Sequence, residues 1–187
     1  MGYIVDISKW QDPSKIDYDT FCKQLDMAII RVQYGSLKID PCYTQHIAEM
    51  QKHKVPYGVY AFVRGISIAD MAQEARDFYC RAKDYNPAFY ALDVEEQSME
   101  DMRSGINAYI AELRKYTGNK KIGIYVAHNR YEIFNLDLSK ADFVWLPHYG
   151  VNNGQISSTP AYYCDLHQYT SVGRINGYED NLDLDRL

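Results

Sequence analysis

Phe89-Tyr90-Ala91-Leu92-Asp93-Val94-Glu95-Glu96 opens as an apolar strand and closes on three acids. In an extended chain successive side chains point to opposite faces, so Asp93 and Glu95 share one face and Val94 takes the other. Burying two carboxyl groups side by side costs free energy unless they are paired or protonated. Like charges this close raise one pKa, which keeps one group as an acid near neutral pH. The plainer alternative is that Asp93 caps the strand while Glu95 and Glu96 begin a solvated loop. The surrounding chain decides between the two.

Strands and helices alternate outward from this stretch. Apolar strands are expected at 3–8, 27–35, 56–64 and 121–126, besides the quoted one. Near-continuous apolar runs suit a parallel sheet covered on both faces. Asp17 is the N-cap expected for a helix through Phe21 and Leu25, and Asp40-Pro41 starts a helix running to about Lys54. From Ser67, the residues Ile68, Met71, Ala72, Ala75, Phe78, Tyr79 and Ala82 recur at the spacing of one buried helix face. Ser98, with Asp101 three residues on, reads as a variant capping box. Its helix has the face Met102, Ile106, Tyr109, Ile110, Leu113 and Tyr116 and ends at Gly118.

The rhythm then changes. A short helical stretch at 129–134 leads to strands at 142–149, 162–169 and 181–185, with a turn at 173–177. Five strand–helix units followed by three strands imply an α/β chain whose parallel strands are joined by right-handed crossovers. Eight strands in that order suggest a closed TIM-like barrel, with an open doubly wound sheet as the alternative. The 187 residues are enough for one domain, expected to span 1–187, and show no repeat or linker.

In a parallel barrel the reactive groups gather at the carboxyl ends of the strands. Asp6 ends the first strand, Asp93 and Glu95 end the fourth, and Asp183 lies in the last, which neighbours the first in a closed ring. Asp180 and Asp185 are near rivals of Asp183, and a slip of two residues, to Asp185, keeps the same strand face. Tyr34, Tyr60, Arg64, Tyr125, Trp145, His148, Tyr149 and Gln168 lie at or near other strand ends, so they are expected to line the same mouth. With 18 Tyr against 6 Phe and 2 Trp, the composition supplies amphipathic rings that suit stacking on sugars and serve equally as the edge of the core. Carboxyl groups ringed by aromatics suit glycoside cleavage, in which one group protonates the departing oxygen and another stabilises positive charge on the ring.

Other chemistries find little footing. A net charge of −5, with only the short basic runs Lys52-His53-Lys54 and Lys120-Lys121, speaks against nucleic acid. No apolar run approaches a membrane span, and the first residues lack the basic-then-apolar pattern of a secretory signal. Cys22, Cys42, Cys80 and Cys164 are far apart and are expected to be free, largely buried thiols. The five histidines form no metal-ligand spacing, and neither a nucleotide-binding glycine loop nor a Gly-x-Ser-x-Gly elbow occurs, so no metal or cofactor is expected.

Several motifs, in order along the whole chain, resemble glycoside hydrolase family 25, the Chalaropsis-type lysozymes of phage endolysins and bacterial autolysins. They are Val5-Asp6-Ile7-Ser8-x-x-Gln11, Asp93-x-Glu95, Val144-Trp145-Leu146 with His148-Tyr149, and Gln168-Tyr169-Thr170-Ser171-x-Gly173 leading to Leu182-Asp183-Leu184. The resemblance implies a (β/α)5(β)3 barrel and a retaining N-acetylmuramidase that cuts peptidoglycan. Glu95 is then the general acid, Asp93 the second carboxylate, and Asp6 and Asp183 complete the acidic cluster. Whether Asp93 attacks the sugar or orients the substrate's acetamido group as nucleophile stays open. His167, Ala61 and Asp185 depart from the family's usual Trp, larger residue and Asn, which points to altered subsite shape. Two readings from other classes are a glycan-binding module without chemistry and a metal-assisted, deacetylase-like hydrolase. No wall-binding repeats follow the last strand, so two alternatives stand: a catalytic domain whose wall-binding module is separate or truncated, or a compact single-domain enzyme. Synthesis in the cytoplasm and action at the cell wall complete these expectations.

Overall fold

The structure is a computed structural model that describes residues 2–187, so only Met1 of the expected 1–187 domain lies outside the described residues. Its strands are β1 (Tyr3–Ile7), β2 (Leu25–Tyr34), β3 (Lys38–Ile39), β4 (Tyr57–Phe62), β5 (Phe89–Val94), β6 (Lys121–Val126), β7 (Phe143–Pro147), β8 (Leu166–Ile175) and β9 (Tyr178–Arg186). The helices are α1 (Tyr18–Phe21), α2 (Tyr43–His53), α3 (Ile68–Ala82), α4 (Met102–Thr117) and α5 (Tyr131–Phe134). Eight strands close into a ring in the order β1-β2-β4-β5-β6-β7-β8-β9, with β9 returning to β1; β3 pairs only with the end of β2. The chain is thus one α/β domain built on a closed barrel, and the open sheet is set aside.

Strands β1 to β8 of the ring are parallel, but β9 runs antiparallel to both β8 and β1. Only Asn176 and Gly177 separate β8 from β9, too few residues for a crossover, so the pair must be a hairpin. Gly177 holds φ +96° there, and a Cβ would press on the backbone of Asp17 and Phe21.

The strands divide two apolar layers. Outward residues such as Val5, Ile30, Val59, Leu92 and Ile124 pack against the helices through Met71, Phe78, Ile106 and Leu113. Inward, Ile4, Ile29, Tyr60, Ala91, Tyr125, Trp145 and Leu166 fill the barrel above Met27, Phe89 and Phe143. The Phe89 and Phe143 rings meet edge to face at 5.1 Å and floor the barrel. A Cβ at Gly58 would strike the Phe89 ring and one at Gly123 the Phe143 ring, so both strands need glycine where the floor passes.

Several local expectations are corrected. Asp101, not Ser98, caps α4: its Oδ1 accepts from Ser104 N at 2.9 Å, while Ser98 Oγ donates to Gly65 O. Asp40-Pro41 precedes α2 rather than capping it, because the buried Asp40 carboxylate is held by Arg31 Nε, Lys9 N and Cys42 N. Ile68 and Tyr116, assigned to buried helix faces, are 46% and 39% exposed. Residues 162–165 are not strand; Tyr162 instead stacks on Tyr131 at 3.8 Å. All four cysteines are free, but only Cys22 is buried and Cys80 is exposed. Among the described residues no helix is long and apolar enough to cross a membrane.

Candidate active site

Strand alternation brings the acids together. On β1, Ile4 points into the barrel and so does Asp6; on β5, Ala91 points in and so does Asp93. The two strands are parallel within the ring, so both carboxyl groups reach the same rim. Strand β9 runs the other way, yet its register sets Asp183 opposite Asp6 and Asp185 opposite Ile4. A cavity of about 380 Å³ opens at this rim. Asp6, Asp93, Glu95 and Asp183 line it, and so do Tyr34, Tyr60, Tyr125, Trp145, Tyr149 and Gln168. Arg64 lines the adjoining groove instead. His148 lies outside the cavity: its ring packs on His128 at 4.7 Å and its carbonyl accepts from His167 Nε2.

Gln168 organises one wall. The Tyr125 and Tyr149 hydroxyls both donate to its Oε1, at 3.1 and 2.7 Å, which fixes the amide so that Nε2 donates to Asp6 Oδ2 at 2.7 Å. Asp6 therefore presents at least one oxygen as an acceptor. Trp145 stands edge-on to Tyr125 and Tyr60, and its indole Nε1 donates to Asp185 Oδ1 at 2.7 Å. Opposite, Tyr34 stacks on Phe62 at 4.4 Å and donates to Glu96 Oε1, while Arg64 Nε meets Glu96 Oε2 at 3.1 Å.

Five carboxyl groups in one barrel mouth cannot all ionise. Burial pushes the pKa of Asp6 well up, with further increments from Asp183, Asp185 and Asp93. Burial also raises Asp93, followed by the charge of Glu95 and a hydrogen bond to it; Arg31 works against this. Burial raises Glu95 too, though its bond to Asp93 pulls the other way. Asp183 is raised to about 6 by burial and by Glu95. Asp93 and Glu95 thus behave as one pair that holds a proton between them. Asp93 is the deeper partner, and its Oδ1 is buried without a donor, so a proton on the pair relieves an unpaired oxygen. Glu95 is only half-buried and sits nearer solvent. Asp185 and Asp6 are similarly within hydrogen-bond reach of each other deeper in the barrel.

Some site residues were absent from the sequence-based set. Arg31 is the cation facing the acids, reached by counting two residues on from the inward Ile29. Asp185 was noted only as a rival and a departure, yet it is a buried member of the cluster. Glu96 and Trp10 also line the cavity; Trp10 is 72% exposed, which no periodicity signals. Two of the three departures sit behind the wall. Ala61 packs in the outer layer, and His167 is held between the His148 carbonyl and Arg186. Among the described residues no three His, Cys, Asp or Glu side chains are grouped to hold a metal ion.

Comparison with known proteins adds an independent finding. The family model described as glycosyl hydrolases family 25 matches residues 5–178. Among solved structures, the chain is similar to the virulence factor GHIP of Streptococcus pneumoniae, a glycosyl hydrolase 25 participating in host cell invasion. Identity is 38% and the TM-score 0.95, over 100% of this chain and 86% of that one. It is similar to the catalytic domain of the endolysin Ply40 from bacteriophage P40 of Listeria monocytogenes, at 30% identity and TM-score 0.92, over 99% of this chain and 92% of that one. The bacterial lysozyme of Streptomyces coelicolor shares the fold at TM-score 0.81 and 19% identity, over 100% of this chain and 91% of that one. No curated protein matches the chain.

Proposed function

The chain belongs to glycosyl hydrolase family 25 and is a glycoside hydrolase, and from that premise we propose that it is an N-acetylmuramidase acting on bacterial peptidoglycan. It cuts the β-1,4 bond from N-acetylmuramic acid to N-acetylglucosamine with retention, and the catalytic unit spans residues 1–187. The similarity to an endolysin catalytic domain supports the cell wall as its place of action. The observation that carries the reading is the Asp93–Glu95 pair, two neighbouring carboxyl groups at the mouth of a cavity walled by Tyr60, Tyr125 and Trp145.

In this mechanism Glu95 is the general acid. The pair retains its proton because burial and mutual charge disfavour double ionisation. Glu95 is the member nearer solvent, so it hands the proton to the departing glycosidic oxygen. That leaves the pair anionic as positive charge develops on the sugar ring, when Asp93 either attacks or aligns the 2-acetamido oxygen for attack. Asp183, raised only to about 6, adds negative potential near neutral pH, while Asp6 opposite it accepts from Gln168 Nε2. The exposed Trp10 ring and the Tyr34–Phe62 stack offer apolar faces to the sugars.

Digestion of purified peptidoglycan, borohydride reduction and mass spectrometry test the assignment. Fragments ending in reduced muramic acid are expected. Fragments ending in reduced glucosamine, or no fragments, would overturn it.

A further inference from the structure

A second depression, about 630 Å³, opens directly onto the catalytic cavity and shares Trp10, Arg31 and Tyr34 with it. Its charge is opposite to that of the chain. The protein carries a net −5, yet Lys9, Arg31, Lys38 and Arg64 line this groove against a single acid, Asp40. Asp40 is spent inside the wall on Arg31 and on backbone amides. Arg64 is half-answered by Glu96. Lys9 and Lys38 are exposed and, among the described residues, neither ammonium has a carboxylate within ion-pair distance.

The two free ammonium groups are also placed. Lys9 Nζ lies over the Trp10 ring at 4.7 Å, and Lys38 Nζ over the Tyr34 ring at 5.8 Å. Those rings line both the groove and the catalytic cavity, so the cations sit beside any sugar bound there. Between them Leu37 and Ile39 are 96% and 52% exposed, an apolar surface with no partner in the fold. A ligand for this groove is therefore anionic, partly apolar, and continuous with whatever occupies the catalytic cavity.

We propose that this groove binds the peptide stem of the substrate, with Lys9 and Lys38 holding its carboxylates and Leu37 and Ile39 meeting its alanyl methyl groups. The proposal rests on the muramidase reading above. A muramyl residue carries the stem on its lactyl group, so carboxylates hang beside the cleavage site along the glycan. The enzyme then prefers stem-bearing strands over bare ones by means of a surface distinct from its acids.

The test compares kcat/KM on phosphate-free glycan strands that carry stems with kcat/KM on the same strands stripped of stems by an amidase. The wild-type protein is expected to favour the stem-bearing strands by about tenfold at low salt, as two exposed ion pairs allow. Lys9→Met/Lys38→Met, at two exposed positions, is expected to bring that ratio close to one. Amidating the stem carboxylates is expected to do the same to the wild-type protein. A wild-type ratio of one, or a ratio unchanged in the double variant, would overturn the proposal. So would a preference found only on walls carrying a phosphodiester polymer, which would assign the groove to phosphate. Failure to cut either strand would instead strike the muramidase reading.

Discussion

Asp6 on β1 and Asp183 on β9 stand directly opposite one another across an antiparallel ladder, both turned into the barrel. Like charges in such a cross-strand pair destabilise a sheet, and here burial adds to the penalty. The barrel mouth is therefore a place where the fold gives up stability to hold these carboxyl groups together.

That cost has a pH signature. Burial and the charge of Glu95 push Asp183 up to about 6 in the folded protein, against an ordinary 3.8. A raised carboxyl pKa means that the native state binds the proton more tightly than the unfolded chain. Its contribution is favourable at low pH and is lost as pH rises through the folded pKa. Wild-type stability relative to Asp183→Asn is expected to fall by on the order of 2 kcal/mol between about pH 4 and pH 7. Urea melts of both proteins across that range check it.

The same coupling reaches the proposed general acid, Glu95. Glu95 raises Asp183, and by reciprocity an ionised Asp183 helps Glu95 keep its proton. In Asp183→Asn the alkaline limb of the kcat/KM profile is expected to move to lower pH. The pH dependence of reducing-end release measures this shift.

Gln168 is the hinge of the opposite wall. Replacing it with Leu removes the donor to Asp6 and the acceptor of the Tyr125 and Tyr149 hydroxyls. Leaving buried polar groups unpaired costs roughly 1–3 kcal/mol, and a misplaced Asp6 is expected to lower kcat by about tenfold or more. Thermal melts and kcat together report both effects.

Far from the acids, Gly58→Ala is expected to destabilise the barrel by about 1–3 kcal/mol, because the added methyl strikes the Phe89 ring on the floor. Phe89→Leu in the same protein is expected to recover part of the loss. Calorimetry of the single and double variants shows whether the two changes couple.

Much of the barrel was legible in the chain because its first five strands are apolar runs bounded by helices with clear periodicity. The 121–126 strand was read with the bounds that the structure shows, and the quoted stretch was read correctly as the strand that ends in the acid pair. The last three strands were read less well. Asn176-Gly177 makes a tight turn, yet nothing local announced that β9 would close the ring in the antiparallel sense. Tyr162 and Tyr163 look like strand residues, but Tyr162 covers Tyr131 while Tyr163 is exposed. In the site, inward-facing strand residues could be counted from periodicity. Trp10 comes from a loop, and Arg64 and His148 follow strand ends, where the alternation stops and the chain turns away. Arg31 was missed because a charged residue inside an apolar strand gains meaning only once Asp40 and the acids are seen around it.

The central claim is that the proton held by the Asp93–Glu95 pair is delivered through Glu95. The most direct measurement is the turnover of muramic-acid reducing ends from peptidoglycan by Glu95→Gln, with its fold checked by circular dichroism. The account predicts a loss of about 10³-fold, within the range for removing a general acid, from a protein that is still folded. Turnover within about threefold of wild type, well short of any general acid's contribution, would contradict it.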